Sequence, residues 1–178
     1  MDAALIFLAG DGEKRFSKPA VELQISEDVG KLKLSSFTRL VSDDWDSQRF
    51  EAVYKVTDKL EGSIQYYTGT EGHGPDTVQL VSKYKIGNSP FKVTASYSPD
   101  AFGAGKRYRV GGQVYIRKGD VSAWAWVTAR YFDRLDNVNY ESWYTLNYHL
   151  SEDTTLTIKR FDSDFFGDNV TAEIKFNF

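Results

Sequence analysis

Apolar and polar residues alternate with period two along most of this chain, and no segment carries the 3.6-residue repeat of a helix. Strand side chains project alternately to opposite faces, so each alternating stretch predicts a strand with one apolar and one polar face. Strands are expected near residues 3–9, 19–26, 31–41, 48–57, 60–69, 76–86, 90–98, 107–117, 121–132, 139–149, 154–161 and 169–178. Most are about ten residues long, the length that crosses a bilayer at the tilt of a barrel strand. No linker, low-complexity stretch or internal repeat divides them, so residues 1–178 are read as one domain. The expected fold is all-β: an antiparallel, up-and-down transmembrane β-barrel of about twelve strands. Ten is the even alternative, because the first stretch (Ala3 to Ala9) is apolar on both faces and sets no register.

The connections support this architecture. In order they contain DGEKRFSK, EDVG, SDDWD, DKL, EGHGPD, GNS, DAFGAGK, KGD, DRLDNVN, SED and DSDFFGD. Longer ones alternate with shorter ones, as in a barrel with short turns at one end and longer loops at the other. The series begins and ends long, which leaves both termini at the short-turn end.

The last nine residues, VTAEIKFNF, sharpen the picture. Val170, Ala172, Ile174, Phe176 and Phe178 fall on one face, and Thr171, Glu173, Lys175 and Asn177 on the other. An aromatic final residue preceded by apolar residues at every second position resembles the C-terminal assembly signal of Gram-negative outer-membrane β-barrels. The resemblance implies an outer-membrane location, with lipid and lipopolysaccharide around the barrel. It also implies that Phe176 and Phe178 are read by the outer-membrane assembly machinery, and that the short turns are periplasmic.

Composition narrows the function classes. Lys and Arg number 22 against 25 Asp and Glu, a net charge of −3, so no basic excess suggests nucleic acid. Cysteine is absent, which removes disulfide and thiol chemistry. No apolar run reaches the roughly 18 residues of a spanning helix. The opening MDAALIFLAG lacks the basic region of a secretion signal, so an exported protein would be in its mature form with an added or retained Met.

A soluble, lipocalin-like ligand-binding barrel would show the same alternation with its apolar face inward. Twelve strands enclose more space than eight, and eight already give a filled or single-ligand interior. Ala123, Ala125, Val127, Ala129 and Gly112 are too small to fill that space but suit a lipid-facing wall. The apolar rows also carry aromatics near their ends, among them Phe91, Tyr97, Tyr108, Tyr131, Tyr140 and Tyr148, as interfacial girdles require. Arg160 falls on the lipid face and is expected at the rim, where an arginine costs only about 0–1 kcal/mol. Trp124 and Trp126 are assigned inward, because the reverse register would turn Arg130 to lipid.

The polar faces then line a lumen. Its inward bases are Lys31, Lys33, Arg39, Arg49, Lys55, Lys83, Lys85, Lys92, Arg107, Arg109, Arg117, Arg130, Lys159 and Lys175. Its inward acids are Glu22, Glu51, Glu61, Glu141 and Glu173. The loop segments are acidic instead, as at Asp43, Asp44, Asp46, Asp133, Asp136, Asp162, Asp164 and Asp168. A basic lining in a low-dielectric wall favours anions. Pairing across the Gly119–Asp120 turn should place Arg109 near Arg130, with Glu141 alongside and Tyr115, Trp124, Trp126 and Trp143 on the same side. Guanidinium groups clamp carboxylates, and aromatic faces stack on sugar rings. This architecture and lining are similar to those of the small twelve-stranded porins for acidic sugars, without a shared sequence motif. The competing reading is that the same side chains plug the barrel, making it a structural or anchoring element of a secretion or surface system.

Catalytic readings are weaker. Some twelve-stranded outer-membrane barrels are phospholipases with Ser and His on the lipid face. Here the histidines are His73, in a loop, and His149, facing inward, while Ser142 on the same strand faces outward. The acidic loop clusters lack the spacing of a calcium loop, and Gly103–Lys106 lacks the helix of a phosphate-binding loop. The sequence therefore predicts a monomeric channel for small anionic solutes, acting without a cofactor or metal and not as an enzyme.

Deleting Phe178, or Phe178→Ala, should lower the amount of assembled barrel in cell outer membranes while leaving refolding in detergent nearly intact. Outer-membrane fractionation with a parallel refolding assay reads both. Normal assembly of the variant would remove the role given to this residue.

Overall fold

The computed structural model describes residues 1–11, 20–41, 47–68, 76–101, 103, 105–164 and 168–178. Twelve strands run through them: β1 (Asp2–Asp11), β2 (Ala20–Val29), β3 (Leu32–Val41), β4 (Ser47–Lys55), β5 (Leu60–Thr68), β6 (Thr77–Lys85), β7 (Phe91–Ser98), β8 (Arg107–Lys118), β9 (Val121–Phe132), β10 (Asn137–His149), β11 (Thr154–Ser163) and β12 (Asn169–Asn177). Each pairs antiparallel with the next, and β1 pairs with β12, so the sheet closes on itself. The ten-strand alternative is thereby settled in favour of twelve.

The faces follow the predicted parity, with the apolar row outside. Leu23, Ile25, Leu34, Phe50, Ile64, Leu80, Val110 and Ile158 are exposed on the outer wall. Glu22, Arg39, Gln65, Gln79, Thr94, Arg107, Thr128 and Glu173 are buried on the inner one. This is the inverse of a soluble barrel, whose stability comes from apolar burial inside. A wall of this kind is satisfied by hydrocarbon, and closure leaves no unpaired strand edge within it. Aromatics band the outer surface. Tyr97, Tyr108 and Tyr131 stand side by side at the long-loop end, with centroids 5.2 and 6.4 Å apart. Phe7 meets Phe176 edge to face at 6.3 Å across the closing seam. Arg160 faces outward near the long-loop end of β11, where its Nε donates to Asp162 Oδ1 at 3.0 Å and its Nη2 lies 3.8 Å from Asp168.

β1 is a true barrel strand despite its two apolar faces. Ala4, Ile6 and Leu8 point inward and are buried, with Ile6 and Leu8 clustering against Ala20 of β2. Its register comes from its neighbours, with Ile6 opposite both Glu22 and Lys175. The closing contacts at the chain ends are backbone bonds between Ala3 and Phe178, at 2.8 and 3.5 Å.

Several boundaries differ from the sequence pattern. β10 starts at Asn137 because Asn137 and Val138 pair with Phe132 and Tyr131. β11 reaches Ser163 because Asp162 and Ser163 pair with Ser142 and Glu141. Ladder bonds therefore extend the sheet into residues whose composition reads as loop. The connection 133–136 shrinks to the length of the turn 150–153, so the alternation of long and short levels out there. Loop segments containing Asp43, Asp44, Asp46 and His73 lie outside the described residues.

Two glycines set the β8–β9 hairpin. Gly119, with φ of 59°, occupies the left-handed region in the two-residue turn 119–120. Gly111 faces Thr128, and a Cβ there would meet Val127 O at 2.4 Å and Thr128 Cβ at 2.8 Å. Gly112, one residue on, has nothing closer than 4.0 Å.

The refolded protein should need detergent to stay dispersed and should migrate differently on a denaturing gel before and after boiling. Gly111→Val should lower the unheated, folded fraction, since forced overpacking costs about 1–3 kcal/mol. Gly112→Val should not. A monodisperse monomer in plain buffer would contradict the outer-wall assignment, and equal behaviour of the two variants would contradict the inward placement of Gly111.

Candidate functional site

The lumen wall of β8, β9 and β10 carries the densest charged constellation. The Gly119 turn puts Arg109 directly opposite Arg130, two like charges on one face of neighbouring strands. Such a pair is unfavourable by itself. Glu141, from β10, relieves it with one oxygen for each partner: Oε1 lies 2.6 Å from Arg130 Nη1, and Oε2 accepts from Arg109 Nη2 at 3.1 Å. Arg130 and Glu141 are only 2% and 4% exposed, whereas Arg109 remains partly open to the lumen. Charges this close interact strongly in a weakly screened wall, and Glu141 bonds both guanidiniums.

Aromatic rings hold these groups in place. Arg109 lies 5.1 Å from the centroid of Trp126, and Arg130 lies 5.2 Å from that of Phe132. Trp126 Nε1 donates to Thr94 Oγ1 at 3.2 Å, and its ring stacks beside Trp124 on the inner face, with centroids 6.3 Å apart. Trp143 packs on Phe161 with centroids 4.1 Å apart. Arg107, two residues before Arg109, donates to Gln79 Oε1 at 2.6 Å and Ser98 Oγ at 3.3 Å. Arg117 stands apart: it is exposed at the short-turn rim, where its Nε donates to Gly119 O at 3.3 Å. The predicted arginine set is therefore a cluster of three plus one rim residue.

Lys83, Lys85 and Lys92 lie elsewhere, around a cavity of about 770 Å³ at the short-turn end, together with Lys55, Lys59, Gln113, Tyr115 and Trp124. Other inward charges pair across strands: Arg39 with Glu22 at 3.6 Å, and Lys159 with Glu173 at 2.6 Å. Glu51 accepts from Gln65 Nε2 at 2.7 Å. Phe176 and Phe178 stand on the outer wall at the seam, with Phe178 80% exposed.

The sequence pattern did not reveal one polar network. His149 Nε2 lies 3.1 Å from Ser122 Oγ, and its Nδ1 lies 3.1 Å from Thr155 Oγ1. Asn147 donates to Ser122 Oγ at 3.1 Å and accepts from Thr157 at 2.8 Å. Parity along β10 separates His149 from Ser142, but the partner comes from the neighbouring strand, and only the register reveals it. Ser122 is 1% exposed, and a threonine occupies the place a carboxylate would take in a nucleophilic triad. This chemistry braces the wall. Phe132 and Phe161, buried in a mostly polar lumen, were also missed; their inward parity was the available signal. Of the acidic loop residues, Asp162 pairs with Arg160, and Asp164 Oδ2 accepts from Tyr140 N at 2.9 Å.

No protein-family model matches the sequence, and no curated protein matches it. Solved structures do match in shape. The KdgM porin, solved in complex with disordered oligogalacturonate, superposes with a TM-score of 0.68 over 100% of this chain and 99% of its own, at 11% identity. A chain from work on in-meso crystallization of membrane proteins gives 0.61 over 100% and 83%, at 10% identity. A mutant of the Rh. blastica porin gives 0.51 over 89% of this chain and 55% of its own, at 13% identity. At these identities the likeness concerns the fold, and the fold is the closed, antiparallel transmembrane barrel of the porins.

Proposed function

We propose that the protein is an outer-membrane porin, a channel for small anionic solutes, rather than an enzyme. The observation that carries the reading is the placement of Arg109 opposite Arg130, with Glu141 bonding both. A barrel built only for stability has no need to oppose two inward cations, and a lumen field of this sign enriches anions. Acidic sugars are the favoured solutes. Guanidiniums bind carboxylates in fork geometry, and Trp124 and Trp126 offer ring faces beside them. The KdgM porin, of the same fold, was solved with oligogalacturonate. The proposal makes the bilayer, lipopolysaccharide and the outer-membrane assembly machinery its partners, with the monomer as the working unit and no cofactor or metal.

A second reading has its own support. Arg107, Arg130 and Glu141 are buried, and side chains packed that closely describe a plugged, structural barrel as well as a narrow channel.

In planar bilayers the protein should conduct with anions favoured over cations, and acidic sugars should interrupt the current. Arg109→Glu with Arg130→Glu should lower or invert the selectivity, and Glu141→Gln should raise it, with folding of each variant checked by its gel shift. The preference should weaken at high salt, where screening shortens to about 3 Å at 1 M. No conductance from correctly inserted protein would favour the structural barrel, and cation selectivity of the unmutated channel would overturn the electrostatic argument.

A further inference from the structure

The short-turn mouth holds a second cationic site whose chemistry differs from that of the arginine cluster. Its cavity, about 770 Å³, is bordered by five lysines, Lys55, Lys59, Lys83, Lys85 and Lys92, against two carboxylates, Asp58 and Glu61. The strand register places Lys85 directly opposite Lys92, and Glu61 between Lys55 and Lys83. Opposed like charges destabilise a strand pair. Here the relief is partial: among the described residues only Lys92 of the five forms an ion pair, with Glu61 Oε2 at 3.5 Å. This differs from the mid-lumen cluster, where Glu141 bonds both arginines. The excess charge at the mouth is thus available to something else, and Gln113, Tyr115 and Trp124 complete its wall.

We propose that this cavity binds compact solutes bearing several phosphoryl groups, received at the short-turn mouth. An ammonium is a point charge with three rotatable donors and no fork, so a lysine group suits the clustered, freely oriented oxygens of phosphoryl chains. The paired geometry of a carboxylate suits arginine better. Several ammoniums converging on one multiply charged ligand also remove their own mutual repulsion, which makes binding steeply dependent on ligand valence. The site extends the channel reading, but occupancy requires only the folded barrel and not conduction.

The test uses inorganic tripolyphosphate as probe, with the full-length protein refolded in a nonionic detergent. Calorimetry at low salt should show saturable binding, tighter than that of the tricarboxylate tricarballylate and weakened by added salt. Lys83→Gln with Lys85→Gln should reduce affinity by at least about tenfold, the loss expected for charge-assisted contacts. Arg160→Gln, on the outer wall, should leave it nearly unchanged. The boiled-versus-unboiled gel shift confirms that each variant is folded. Absence of binding by the folded protein, equal affinity for the tricarboxylate, or an undiminished affinity of the lysine variant would each overturn the proposal. In bilayers, tripolyphosphate should interrupt current at lower concentration from the short-turn side, and equal effect from both sides would refute the location. A barrel that conducts nothing would defeat the channel reading alone and leave the calorimetry to decide this one.

Discussion

Backbone hydrogen bonding in a medium that offers none is the constraint on which the rest of this structure depends. A strand crossing hydrocarbon must satisfy every N–H and C=O through its neighbours, each orphan costing several kcal/mol. Closure of β1 on β12 meets that demand all the way round. Once the sheet is closed, the period of two turns each alternating strand into a partition between lipid and lumen. The apolar row is outside because the solvent there is apolar, and the charges are inside because nowhere else across the wall accepts them cheaply.

That partition concentrates charge and so creates a second problem. Antiparallel pairing places inward residues face to face, and the sequence sets Arg109 against Arg130 and Lys85 against Lys92. The two conflicts are resolved differently. The first is clamped by a buried glutamate, with rings over both guanidiniums. The second is left largely open beside a cavity. The lumen is therefore not uniformly basic. It has a buried zone where one glutamate bonds two arginines, and a mouth where five lysines border a cavity with two carboxylates.

Much of this was legible in the alternation alone. Face assignment needs only parity, so the inward placement of Arg109, Arg130, Glu141, Trp124 and Trp126 is legible in the sequence. The Arg109–Arg130 pairing was legible too, because the turn at Gly119 is too short to allow more than one register. Information about distant neighbours was not. The Ser122–His149 contact requires the relative register of β9 and β10, set through the connection 133–136, whose composition does not fix where the ladder begins. The cavity lysines come from β4, β6, β7 and the 56–59 turn, whose convergence depends on the pairing of neighbouring strands rather than on any one segment's pattern. Strand ends failed for a related reason: ladder bonds carry β10 and β11 into polar residues whose own preferences point to loops.

The inner face of β1, with Ala4, Ile6 and Leu8 where other strands set charges, bears on how such a wall can be completed. A charged side chain left facing hydrocarbon at mid-depth costs about 2–4 kcal/mol. While the seam between β1 and β12 is open, β1 is one of the two strands whose lumen side meets lipid. From Ala3 to Ala9 this strand has no charge to strand there on either side. The same ambivalence that hides its register in the sequence makes it the segment best suited to wait at an unfinished edge.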